Sequence, residues 1–256
     1  MDTWIETAHA AADAARAVTR RWYRASPPTE HKAAASPIVT LADQASEAAM
    51  RAIIRARHPD HSIHGEEASD FIGAPDAPTW VLDPIDGTIA FASGKPLFTT
   101  LIGLSIDGQS VLGLIDQSIT DERWLGLPGT HTTLNTAPVT PSTETILSRC
   151  RLAATAPDMF SPAQQQAFSR LSSAVHVTTW GGDAYNYALL ATGTIELVVE
   201  AGLSWYDWAA VSAVVRGAGG IITDWSGAPL RPGDADVVAA STPALHAQAL
   251  SLLQSS

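Results

Sequence analysis

A chain of 256 residues with 46% apolar and only 16% charged side chains can bury a substantial core, as one large domain or two small ones. Its 26 acids against 15 bases leave a net charge of −11, which repels nucleic-acid phosphates and anionic membrane surfaces alike, so neither is an expected partner. No apolar run approaches the ~20 residues of a membrane span. The opening MDTWIETAHA lacks the basic-then-apolar pattern of a secretory signal, and the single Cys150 excludes an intrachain disulfide or a thiolate metal cluster. The expectation is a cytoplasmic enzyme in which Cys150 fills core.

Trp4, Ile5, Ala8, Ala11, Ala12, Ala15, Val18 and Trp22 keep three-and-four spacing, which predicts an amphipathic helix over residues 2–24, ended by Pro27 and Pro28. A second helix is expected to start near Thr40, capped by its hydroxyl with Asp43 three positions on, and to run to Pro59. SIHGE, TWVLD, TTLIGLSI and SVLGLID read as strands, the last two joined by an Asp107-Gly108 hairpin turn. Residues 128–145, rich in Pro, Thr and Gly, keep no period and are expected to be irregular, which suggests an organisation of 1–140 and 141–256. Beyond them come a strand at RLAAT, a helix over 161–171, a strand at VHVTT, a helix in DAYNYALLATG and a strand at IELVVE. A helix over 205–217, strands at GGIITD and DVVAAS and a helix in PALHAQALSLL complete the chain. Helix and sheet layers stacked on one another are expected.

The segment WVLDPIDGT, residues 80–88, is the most informative stretch. A chain sparing with charge puts Asp83 and Asp86 at the end of a buried strand, with a proline between them and Gly87 and Thr88 behind. A plain turn would use the same residue types. Glu66, just after another strand, and Asp207, at the expected start of a helix, add hard oxygen donors at the ends of further elements, which is how a magnesium site is assembled. Glu66 and Glu67 would otherwise be solvated acids, and Asp207 a complement to a helix dipole.

In this order and spacing, GEE, WVLDPIDGT and WYDWAAVSAVVRGAGGIITDWSG resemble the inositol monophosphatase family of magnesium-dependent, lithium-sensitive phosphatases, from about residue 36 to residue 245. The resemblance implies an α+β fold of alternating α/β/α/β/α layers, usually a homodimer, and hydrolysis of a small phosphorylated metabolite by water activated on two to three Mg2+ ions. Carried over by position, Glu66, Asp83, Asp86, Asp207 and the backbone carbonyl of Ile85 are the implied metal ligands. Asp43 is implied to accept from the Thr88 hydroxyl, so that Thr88 and Glu66 orient and deprotonate the water, while Gly87 and Thr88 offer amides to the phosphate. Bound cations would also explain how so acidic a protein attracts an anion.

LIDQSITDERWLG, WGGDAYNYALLATG and IELVVEAGLSWYD resemble the histidinol-phosphatase branch more than the inositol-phosphate or nucleotide branches, which makes Asp183 and Glu200 the implied substrate-facing acids. Read alone, Asp183 would be a helix cap and Glu200 a strand-end surface acid. The chain departs from that branch at Ile89, Thr136 and Ala184, where the branch often has arginine, glycine and cysteine. Inositol-1-phosphate or another small sugar or nucleotide phosphate is the alternative substrate. A silent relative that only binds a phosphorylated ligand is disfavoured by the complete ligand set.

Other constellations carry less. The odd spacing of His58, His61 and His64 sends extended side chains to opposite faces. SGKP lacks the Ser or Thr that a P-loop requires after lysine, no G-x-S-x-G elbow is present, and RGAGGIITD joins helix to strand, the wrong order for a dinucleotide fingerprint. Packing is the expected role of Trp180, Trp205, Trp208 and Trp225, with one of them a candidate for the pocket wall.

Overall fold

The structure, a computed structural model, describes residues 1–25 and 37–255. Pro27 and Pro28 lie outside the described residues. Helices α1 (Asp2–Trp22) and α2 (Pro37–Arg57) precede a seven-stranded sheet in the order β1 (Ser62–Gly65), β2 (Thr79–Asp86), β3 (Thr99–Ile106), β4 (Gln109–Gln117), β5 (Glu122–Leu127), β6 (His131–Leu134) and β7 (Ala137–Val139). The short helix α3 (Thr88–Ala92) sits between β2 and β3. A five-stranded sheet follows, ordered β11 (Ile221–Thr223), β12 (Val237–Ala240), β10 (Leu197–Glu200), β8 (Arg151–Ala154) and β9 (Val177–Trp180). It is joined by α4 (Pro162–Ala174), α5 (Tyr185–Ala191), α6 (Trp205–Ala218) and α7 (Pro243–Gln254). Among the described residues no helix is long and apolar enough to cross a membrane.

Strand alternation builds the layers. On β2, Trp80 and Leu82 face α1 and α2 with Ala8, Ala11, Met50 and Ile54, whereas Val81 faces the opposite side with α5, α6, Val198 and Ala239. The outer face of the second sheet carries Leu152, Leu197 and Val199 against Phe168 and Leu171 of α4 and Leu245 and Ala249 of α7. The result is the alternating α/β/α/β/α arrangement, with α5 and α6 sandwiched between the sheets.

Helix α6 is apolar all round and nearly every residue from Trp208 to Val215 is buried, as a central helix requires. Its seat is a row of glycines: Gly103, Gly113 and Gly126 are direct cross-strand partners on β3, β4 and β5. A Cβ on Gly113 would stand 2.0 Å from the Ala210 carbonyl oxygen, and one on Gly126 would stand 2.3 Å from the Val214 Cα. Gly217 repeats the device from the helix side, where a Cβ would meet the Thr132 hydroxyl at 2.6 Å. The first sheet ends at Val139 and the second begins at Arg151, yet α6, from the later part of the chain, crosses β3, β4, β5 and β6 of the first.

Three local expectations are corrected. Helix α2 begins at Pro37, so Thr40 lies within its first turn and is not its cap. The sequence periods announce no strand at β5 and an irregular stretch over 128–145, yet β5 pairs with β4 and β6, and β6 and β7 form a hairpin. Its turn residues Asn135 and Thr136 have φ of 46° and 73°, the geometry that an Asn-Gly pair would have advertised. A β-branched residue at Thr136 therefore occupies a position that favours glycine.

Gly113→Ala should lower stability by at least about 3 kcal/mol, the upper end of ordinary overpacking, because the clash is with backbone. A urea midpoint within error of the wild type would contradict this seat for α6. Thr136→Gly should instead stabilise the protein by about 1 kcal/mol through relief of left-handed strain. The same unfolding measurement checks it, and a lowered midpoint is the opposing result.

Candidate active site

β2 brings Asp83 and Asp86 together by breaking its own register. Asp83 pairs with Leu101 and Asp86 with Thr99, so three steps on β2 match two on β3. In a regular strand residues three apart face opposite sides; the extra bulge residue turns Asp86 back to the side of Asp83. Pro84, with no N–H to give the ladder, sits in the bulge, and its carbonyl accepts from the Thr100 hydroxyl at 2.8 Å. Asp83 Oδ1 accepts from the Ile85 amide at 3.0 Å, and Asp86 Oδ2 accepts from the Ala184 amide at 2.7 Å.

Asp207 comes from the first turn of α6. Ser204 caps that helix in a capping box, and its amide donates to Asp207 Oδ2 at 2.7 Å. The glycine seat lays this end of α6 against β2. Ligand oxygens of Asp83, Asp86 and Asp207 all lie within 4.8 Å of one another, the one such group of three acids or more among the described residues.

These acids open into a cleft of about 370 Å³ that is also lined by Glu66, Ile85, Gly87, Thr88, Asp183 and Glu200. Every residue singled out from the sequence as a site residue lines it, except Asp43. Glu66 stands solvent-exposed on the loop after β1, and its amide donates to Leu82 O at 3.2 Å. Gly87 has φ of 85°, and a Cβ there would lie 3.1 Å from Asp183 Oδ2 and 3.2 Å from the Phe98 Cα. Asp183 is thus packed against the Gly87 turn, beside the other acids and not at a separate end of the cleft. The Gly87 and Thr88 amides have no backbone acceptor among the described residues.

Two expected features differ. The Thr88 hydroxyl donates to the Ile85 carbonyl at 3.3 Å and not to Asp43, because the first turn of α3 folds it back over the carbonyl three residues earlier. Asp43 is 3% exposed, and its Oδ1 has no partner among the described residues. Glu200 is no surface acid. It is 2% exposed, with Oε2 accepting from Tyr187 at 2.9 Å and Oε1 accepting from the Thr155 hydroxyl.

Of the departures, Ala184 contributes through its backbone amide, which any residue supplies. Ile89 is exposed at the cleft mouth, and Thr136 lies in the β6–β7 turn, away from the cleft. None of Trp180, Trp205, Trp208 and Trp225 lines the cleft; Trp208 is core, and Trp225 donates to Glu200 O at 3.1 Å. His58 and His61 stack with centroids 4.6 Å apart, while His64 pairs with Asp70, so the three do not converge on a metal.

Sequence reasoning missed Thr155 and Tyr187, which hold Glu200, and Glu47 with Arg51, which hold the loop after Glu66. Tyr187 offered only the pattern of a core aromatic. Glu47 and Arg51 offered one signal, successive steps of four from Asp43 along one helical face.

The electrostatics favour a bound cation. Among the described residues no lysine or arginine lines the cleft. Burial first, then Asp86, Glu66 and Asp207, pushes Asp83 well above the usual carboxylate range. Burial likewise lifts Asp86 well above it, with Asp183 and Asp207 adding. Asp207 is raised to about 6 and Glu200 to about 7, each chiefly by burial. Asp43, raised to about 8 by burial and then by Glu67 and Glu66, lies behind them. Clustered hard oxygens, with no cationic side chain beside them among the described residues, fit a hard divalent cation, and Asp83, Asp86, Asp207, Glu66 and the Ile85 carbonyl are the groups that would hold it.

The whole chain, residues 1–256, matches the model of the inositol monophosphatase family. It is 42% identical over 270 residues to the bifunctional phosphatase IMPL2, chloroplastic, of Arabidopsis thaliana, covering 99% of this chain and 76% of that protein. It is 31% identical over 190 residues to the histidinol-phosphatase of Chlorobaculum parvum, covering 74% of this chain and 73% of that one. The solved structure of an inositol monophosphatase from Zymomonas mobilis superposes with a TM-score of 0.90 at 41% identity, covering 98% of this chain and 97% of that chain.

Without divalent cations, the folded protein holds protons on Asp207, Glu200 and Asp43 that the unfolded chain, with carboxyls near 4, releases. Stability from these groups is full below about pH 4 and is lost as pH rises through about 6 to 8. The rise in Tm on replacing EDTA by Mg2+ should therefore grow from pH 5 to pH 8. Asp83→Asn should be more stable than wild type in EDTA at pH 8, yet lose most of that Mg2+ response. A Mg2+ response that shrinks with pH is the contrary outcome.

Proposed function

The chain belongs to the inositol monophosphatase family of metal-dependent phosphatases, and we propose that it hydrolyses L-histidinol phosphate to L-histidinol and phosphate. The observation that carries this reading is the pair Asp183 and Glu200. They add two carboxylates to a cleft that no lysine or arginine lines among the described residues. The Asp83, Asp86 and Asp207 group would hold the ions that meet the phosphate; carboxylates beyond that group, Glu200 above all, call for positive charge on the substrate itself. Histidinol phosphate has it, as a protonated amine next to an imidazole. Ile89, Met159 and Leu203 at the same cleft supply apolar surface for the ring.

When bound, two to three Mg2+ ions would supply the charge that screens the phosphate and stabilises the leaving oxygen. The chain's own groups do the rest. The Gly87 and Thr88 amides donate to phosphate oxygens, fixing the phosphorus against the β2 turn. Glu66, accessible at the cleft mouth, accepts the proton of the attacking water, and the Thr88 hydroxyl turns from the Ile85 carbonyl to orient that water. Glu200 accepts a charged hydrogen bond from the amine, with Thr155 and Tyr187 fixing its carboxylate, while Asp183 beside the Gly87 turn adds to the negative charge of the cleft.

A second reading rests on the likeness to the Zymomonas mobilis inositol monophosphatase, which is higher in identity than that to the Chlorobaculum parvum enzyme. Acids that accept from an amine also accept from the hydroxyls of inositol. A substrate panel separates the two: with Mg2+, kcat/KM should be at least about tenfold higher for histidinol phosphate than for inositol 1-phosphate or a nucleotide 3'-phosphate. A charged hydrogen bond is worth roughly 1.5–3 kcal/mol, so Glu200→Gln should cut the preference for histidinol phosphate over 4-nitrophenyl phosphate by about tenfold or more. If the purified enzyme prefers inositol 1-phosphate, the substrate assignment fails and the phosphatase assignment stands.

A further inference from the structure

The loop that carries Glu66 is tied down by an ion pair of α2 that takes no part in the cleft. Glu47 is 1% exposed, and its carboxylate accepts from the Glu67 amide at 2.8 Å, from the Ala68 amide at 3.0 Å and from Arg51 Nε at 2.7 Å. Arg51 returns to the same loop, donating to the Ala68 carbonyl at 2.9 Å and the Ser69 carbonyl at 3.2 Å. One pair thus holds four backbone groups in three consecutive residues. On the other side, the Glu66 amide is held by Leu82 O of β2. The approach is close: a Cβ on Gly65 would stand 2.5 Å from Glu47 Oε1, so the strand before Glu66 passes directly over the carboxylate.

A buried carboxylate is costly unless it is paired and fully bonded, and this one meets both conditions, through Arg51 and the two loop amides. Asp43, Glu47 and Arg51 follow at intervals of four on α2, one face of one helix. The same rigid element that brings Asp43 behind the cleft therefore also fixes the chain on which Glu66 stands.

We propose that Glu47 and Arg51 are positioning residues for Glu66: their ion pair clamps the 67–69 backbone directly after it, so that the Glu66 carboxylate is held ready for the cation. This rests on the reading of Glu66 as a metal-site group. Neither residue lines the cleft, so the clamp acts through the loop alone.

Glu47→Gln keeps the shape but replaces one acceptor oxygen by an NH2 donor, so that either the Glu67 amide or the Ala68 amide together with Arg51 Nε meets a donor, and the remaining acceptor is uncharged. In the full chain, the Glu67 and Ala68 amides should exchange with deuterium at least about tenfold faster. Loss of a residue that supports a metal ligand costs about 10–100-fold in affinity, so the Kd for Mg2+ by calorimetry should rise about tenfold. Leu171→Ala, a cavity in the distant α4 packing, is the control for lowered stability and should leave that Kd within about twofold. Faster exchange with an unchanged Mg2+ affinity overturns the proposal, as does unchanged exchange. Should Glu47→Gln not fold, Arg51→Lys, which keeps the charge but not the fork, is read in the same way with the same two overturning results. A wild-type protein that binds no Mg2+ overturns the metal-site reading itself; binding by wild type with no change in either variant overturns only the clamp.

Discussion

The site depends on how closely α6 can approach the first sheet. Gly103, Gly113 and Gly126, aligned across three strands, remove the side chains that would hold the helix off, so that backbone meets backbone along its length. Helices ordinarily pack with axes 8–10 Å apart because side chains intervene. Here the intervening layer is absent at the crossing, and the small residues Ala209, Ala210 and Ala213 on the helix match it. Asp207, on the first turn of α6, reaches the ligand oxygens of Asp83 and Asp86 for that reason. A residue from late in the chain and two from its first half become one group through packing that involves none of them.

That group is unfavourable by itself. Three acids with oxygens within 4.8 Å, three more in the same lining and, among the described residues, no lysine or arginine there repel one another in a partly buried setting. The fold tolerates the arrangement because the cores on both sides of the first sheet and around the second are large and almost wholly apolar. An acidic protein handling an anionic ester ceases to be a paradox in the same terms: the negative charge is concentrated where cations belong, and the phosphate meets the cations.

How much of this the sequence displays follows from the range of each interaction. Asp83, Asp86 and Asp207 are legible because each sits at a strand or helix end announced by local residues: Pro84 and Gly87 around the first two, Ser204 before the third. The layered order is legible because helical and strand periods alternate clearly. The bulge that puts Asp83 and Asp86 on one side is not, since it exists only against β3. The β6–β7 hairpin is hidden because Thr136 stands where glycine would have signalled the turn. Asp43 and Thr88 share a family pattern, but the local pull of the Ile85 carbonyl on the Thr88 hydroxyl is stronger in this structure. Glu47 resembles any helix-surface acid until the loop from 66 to 69 is laid against it, twenty residues away in sequence.

The three acids also share a division of labour between their two oxygens. Asp83 gives one to the Ile85 amide, Asp86 one to the Ala184 amide and Asp207 one to the Ser204 amide. A carboxylate anchored to backbone through one oxygen cannot rotate freely, so the direction of the other is set by the fold and not by the ion it meets. Part of the entropy of ordering these side chains is lost on folding, before any ligand arrives. Glu66 is the exception, exposed and on a loop, and it is there that a second device, the Glu47 and Arg51 pair, holds the backbone instead of the carboxylate. Fixing the backbone keeps the place of Glu66 beside Asp83 constant, where desolvation and the neighbouring acids raise its pKa as they raise that of Asp83.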